Sequence, residues 1–178
     1  METIEYKGYT INLTQDEYPF NPREKFDHLG TMACFHSRYL LGDKDHGLSI
    51  EECNEIQTDS NYISLTLYLY DHSGLTMNTT GFACPWDSGK VGIIFVEKSK
   101  ALQEFGPEDD GFYKRVFDCL RAEVEEYDTY LRGDVWAYEV TRNDANLDSC
   151  SGFYGYEYAI ESAKEFIEWE RSNNVVTC

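Results

Sequence analysis

The residues with the most chemical potential are four cysteine and histidine side chains and the carboxylates beside them. Cys34 and His36 stand two apart, and His72 and Cys84 come later, next to Asp71 and Asp87. On an extended strand, residues two apart share a face. Cys34, His36, His72 and Cys84 therefore make a candidate set of two sulfur and two nitrogen ligands for tetrahedral zinc. The same region offers a nucleophile: Cys84, activated by His72 or His36, with Asp87 or Asp71 orienting the imidazole. Against this, a reactive thiol needs a nearby cation or helix N-terminus, and Pro85-Trp86-Asp87-Ser88-Gly89 also reads as an ordinary turn. Asp43-Lys44-Asp45 begins like a calcium loop, but Leu48 and Asn54 stand where such a loop needs Gly and Glu, so the match fails. No pair of cysteines has C-x-x-C spacing, no cofactor motif is present, and no cofactor is expected.

A second candidate is electrostatic. Asp118, Glu123, Glu125, Glu126 and Asp128 fall along one predicted helix, opposite its apolar stripe, with Asp109 and Asp110 ahead of it. The plain reading is a solvated face; the sharper one is an array of carboxylates imitating nucleic-acid phosphates. The run Phe153-Tyr154-Gly155-Tyr156-Glu157-Tyr158 adds aromatic contact surface, with Tyr154 and Tyr156 as candidate anchors, since tyrosine is favoured at interfaces.

These groups must be positioned by a small set of elements. Residues 3–6 and 9–13 alternate around Lys7-Gly8 and predict a hairpin. Residues 31–38 predict a strand, and residues 15–30 are irregular. Ser49 and Glu52 form a capping box ahead of a short helix to about residue 57. The clearest strand is 62–70, with Ile63, Leu65, Leu67 and Leu69 on one side and Tyr, Ser and Thr on the other. Strands follow at 75–79, at 91–97 as a continuous apolar run, and at 135–141. Apolar spacing predicts a helical turn at 100–105 and long amphipathic helices over 109–132 and 155–171, with a frayed tail from about 173. The expected fold is a single α+β domain spanning 1–178: an antiparallel β-sheet with two long amphipathic helices packed on one face.

The whole-chain balance narrows the function. There are 33 acidic and 15 basic residues in 178, a net charge of −18. Phosphate contacts need Lys and Arg, so direct nucleic-acid binding is disfavoured, as is an anionic membrane surface. The N-terminus carries no signal-peptide pattern, and a cytoplasmic protein with free thiols is expected.

Five segments also carry a resemblance. Pro22-Arg23, Asp27-His28-Leu29-Gly30-Thr31-Met32-Ala33-Cys34-Phe35-His36-Ser37-Arg38-Tyr39 and Leu41-Gly42-Asp43 resemble a group of small bacteriophage and plasmid proteins, which often read D-N-L-G-T-M where this chain has His28. Tyr70-Asp71-His72-Ser73-Gly74 and Cys84-Pro85-Trp86-Asp87-Ser88-Gly89 are similar to the same group. The resemblance implies a mobile-element origin, and mobile elements often carry inhibitors of host defence. The leading expectation is an acidic, DNA-mimicking inhibitor in the host bacterial cytoplasm, an anti-CRISPR or anti-restriction protein whose partner is a nuclease or CRISPR effector with a basic groove. The alternatives are a cysteine- or metal-dependent hydrolase using His36, His72, Cys84 and Asp87, and a Tyr-rich protein-interaction module.

Overall fold

A computed structural model describes residues 1–174. The fold is α+β and every strand pairing is antiparallel. The chain divides into two compact units: Met1–Phe20 together with the chain from Gly133 onward, and Asn21–Arg132.

The first unit contains β1 (Glu2–Tyr6), β2 (Tyr9–Gln15), β7 (Val135–Arg142), β8 (Ala145–Tyr154) and α5 (Tyr156–Asn174). Its sheet runs β1-β2-β7-β8. Tyr9, Ile11, Leu13, Tyr138 and Val140 meet Ala159, Ile160, Ala163 and Ile167 of α5 in a buried cluster. The opposite sheet face is polar, with Thr3, Asn12, Glu139 and Asn146 joined by hydrogen bonds across all four strands. Strand β8 is not anticipated from the sequence. Its signal is Asn143-Asp144, both at positive φ, a two-residue hairpin turn of the type these residues tolerate.

The second unit contains α1 (Pro22–Lys25), β3 (Thr31–Cys34), α2 (Ile50–Ile56), β4 (Tyr62–Asp71), β5 (Leu75–Asn78), β6 (Ser88–Glu97), α3 (Lys98–Phe105) and α4 (Phe112–Leu131). Its sheet runs β3-β6-β4-β5. Val116, Leu120, Val124 and Tyr127 of α4 pack on Met32, Leu67, Leu69, Met77 and Ile94 of the sheet. Short α2, started by the Ser49–Glu52 capping box, places Cys53 against Ala33, Ile93 and Phe95 on the other side. Gly92 is required where β3 pairs with β6: a Cβ there would collide with the Ala33 carbonyl.

The expected single sheet is therefore two four-stranded sheets, each with its own long helix. The physical reason lies in pairing. β2 bonds to β7, more than a hundred residues later, and this long-range register leaves β3 to β6 to form a separate sheet. The expected tail from about 173 lies almost wholly outside the described residues. No helix among the described residues is long and apolar enough to cross a membrane.

Candidate functional site

Three of the sequence segments singled out above meet at one end of the second sheet. Register explains the meeting: Tyr70 of β4 stands opposite Ser88 of β6, and the Asp71 amide donates to the Asp87 carbonyl at 2.8 Å. This brings the β4–β5 turn, the Cys84–Gly89 loop and the turn after β3 together around a cleft of about 290 Å³. Its walls include His36, Arg38, Asp71, Trp86, Asp87 and Lys90. Arg38 pairs with Asp71. His72 Nδ1 lies 3.3 Å from Asp87 Oδ2, and the Cys84 thiol donates to that same oxygen at 3.7 Å. Ser88 Oγ donates to the Cys84 carbonyl, closing the loop. Trp86, at the loop tip, is 92% exposed.

Cys84, His72 and Asp87 thus do come together, but in an order that does not suit nucleophilic catalysis. An activated thiol must bond to the imidazole that takes its proton. Here the carboxylate stands between them, accepting from the thiol and lying 3.3 Å from the imidazole. The proposed metal set is not assembled. β3 ends at Cys34, so the two-residue alternation that would align Cys34 with His36 is broken by the turn that follows. Burial pushes the Cys34 thiol up to about 12, while His36 stacks on Tyr39 with centroids 5.0 Å apart. Among the described residues no group of three or more His, Cys, Asp or Glu side chains could hold a metal ion. The five described cysteines are free thiols.

The acids on and before α4 are mostly engaged. Glu123 is 9% exposed. It binds Arg23 Nη1 at 2.9 Å and accepts from the Leu29 and Gly30 amides. Asp128 accepts from the Met77 amide at 2.7 Å and pairs with Arg132 at 3.0 Å; burial raises its pKa. Glu126 meets His28 at 3.1 Å, Asp109 pairs with Arg115 at 3.0 Å, and Asp118 pairs with Lys114 and Arg121. Only Asp110 and Glu125 carry no side-chain ion pair among the described residues. The α4 array is thus largely compensated, and Glu123 is structural. The sequence could show the spacing and the local bases, but not that the segment before β3 folds back onto Glu123 and Glu126.

Tyr154 and Tyr156 are also committed. Tyr154 Oη donates to the Phe20 carbonyl at 2.7 Å. Tyr156 sits edge-on to Trp136, and its hydrogen bond to Glu2 pushes its hydroxyl up to about 12. Tyr158, 59% exposed, is the tyrosine of that run which faces solvent.

A regular row of acids without ion pairs among the described residues lies on α5. Ala159, Ile160, Ala163 and Ile167 face the sheet, which turns Glu157, Glu161 and Glu165 outward at four-residue spacing. Each is exposed, and none has a side-chain ion pair among the described residues. The row continues to Trp169, 61% exposed, with Tyr158 beside it. The signal was present in the sequence: these positions are the complement of the apolar stripe of 155–171.

Comparison with protein-family models, with curated proteins and with solved structures found no match.

Proposed function

We propose that this protein is an acidic binding protein that occupies a basic, nucleic-acid-binding groove of a partner protein. The observation that carries the reading is the row Glu157, Glu161, Glu165 and Trp169 on α5. Successive carboxylates stand about 6 Å apart along the axis, a repeat of the order of backbone phosphate spacing. Like charges four apart on a helix repel, and none of the three has an ion pair among the described residues. That unit carries 13 acidic residues against 4 basic ones. Such an arrangement costs stability in the free protein and is relieved by a cationic surface. Trp169 and Tyr158 supply the aromatic anchor that charge alone lacks.

The resemblance to mobile-element proteins makes a host defence nuclease, a CRISPR effector or a restriction enzyme, the target class to test first. The hydrolase reading is less well supported, because Asp87 separates Cys84 from His72. The experiment is capture of purified nucleases of both classes by the full chain at low and raised salt, with inhibition of DNA cleavage as the readout. Capture that weakens with salt and is lost in the Glu157→Lys/Glu161→Lys/Glu165→Lys variant is the expected result. Inhibition that survives this variant, or that is lost in Cys84→Ser with the fold intact, overturns it.

A further inference from the structure

The polar cleft of the second unit has a neighbour. A slot of about 260 Å³ opens between α2 and β6, and the two cavities share Lys90 and Val91 in their walls. The slot is lined by Phe35, Ile50, Cys53, Asn54 and Ile93 as well. Cys53, Val91 and Ile93 are buried, so its floor is apolar, and Ile50 stands half-exposed at its mouth. The Phe35 ring is held edge-on by His46, with centroids 5.4 Å apart. At the junction stands Lys90. Its ammonium contacts the Gln57 amide oxygen at 2.7 Å, a neutral partner, and no carboxylate pairs with it among the described residues. Arg38 in the adjoining cleft is already paired with Asp71, which leaves Lys90 as the cation open to a ligand.

An apolar chamber joined to a polar one, with a cation at the join, has the complementarity of a small-molecule site: mostly hydrophobic walls and a few polar groups that set orientation. We propose that these cavities bind a small amphiphilic organic anion, a medium-chain carboxylate in class. Its hydrocarbon tail fills the slot and its carboxylate pairs with Lys90, the cation at the join that no carboxylate engages among the described residues. Charge selects the head group. In a chain of net charge −18 an anion is repelled by the surface as a whole, so retention of one requires a local cation. Tail length sets affinity, at about fourfold per methylene removed from water. The site is independent of the α5 surface and of the partner proposed for it.

The test uses the full chain and three probes: octanoate, octylammonium with the same tail and opposite charge, and acetate with no tail. Binding is followed by calorimetry and located by amide NMR shifts. Octanoate is expected to bind with shifts confined to α2, Phe35 and residues 90–93. Octylammonium should bind at least tenfold more weakly and acetate not detectably. Lys90→Gln should weaken octanoate about tenfold. Asn54→Trp, placed on an exposed position of α2 at the slot, should abolish binding while the circular dichroism spectrum and Tm stay unchanged. Equal binding of octanoate and octylammonium, an affinity untouched by Lys90→Gln, or shifts lying elsewhere would each overturn the proposal, as would no octanoate binding at all.

Discussion

Arg23 shows how far a single side chain can organise its surroundings. It is 2% exposed and forks onto Asp43 through Nε and Nη2 at 2.7 and 2.9 Å. It also reaches Glu123 at 2.9 Å and donates to the Gly30 carbonyl at 2.7 Å. Burial works against its charge, and the two carboxylates outweigh it, so its pKa rises. Arg23, Gly30 and Asp43 thus have a structural role: they tie the turn before β3 to α4. Gly42 belongs to the same knot, at positive φ and so close to the Met32 carbonyl that a Cβ would collide with it. Removing one member of a buried ionic cluster leaves uncompensated charge. Arg23→Ala is therefore expected to cost about 3–5 kcal/mol in urea unfolding, whereas Asp118→Asn, at an exposed pair, should leave the midpoint unmoved.

Among the elements, α5 is where stability and the proposed function pull apart. Glu161 is flanked four residues away on each side by Glu157 and Glu165. Glu161→Lys converts two repulsive pairs into two attractive ones, each worth about 0.2–0.5 kcal/mol, against one new repulsion from Lys164 three residues on. The variant should melt slightly higher than the parent and bind a basic partner more weakly, read by calorimetry and by nuclease inhibition. A variant that is stabilised and still fully inhibitory would remove α5 from the interface. The element also shows what was legible beforehand. Its apolar stripe, and hence its outward row, follows from helical periodicity alone. On and before α4, Asp109 and Asp118 are paired by bases three to six residues away, but the fate of Glu123, Glu126 and Asp128 depended on Arg23, His28 and the β5 backbone, none of them near in sequence.

For the whole molecule, net charge and buried titratable groups give opposite handles. A net charge of −18 opposes the compact state, and raising salt from about 0.01 to 0.15 M shortens the screening length from about 30 to 8 Å. Salt should therefore raise Tm while weakening partner capture, a divergence that a general loss of structure would not produce. At high pH the buried groups act. Burial pushes the Cys34 thiol and the Tyr127 hydroxyl up to about 12 from ordinary values of 9.0 and 10.0. Both are favoured in their neutral form by the fold. Their contribution is complete below the unfolded-state pKa and is lost as pH rises through the folded one. Thermal stability should hold near pH 8 and fall between 9 and 12, checked by a melting series across that range.

What the chain determined by itself is local. Hydrophobic period, the Ser49 cap, the Lys7-Gly8 turn and the charge balance are written in neighbouring residues, and they yield the α+β class, both long helices and most strands. What only tertiary structure decided is which distant residues share a place. The β2–β7 pairing separates the strands into two sheets, and the β4–β6 register gathers His36, Asp71, Asp87 and Lys90 around one cleft. The fold-back at Arg23 removes Glu123 from the surface. Each depends on contacts between residues tens to more than a hundred positions apart, which no local pattern encodes.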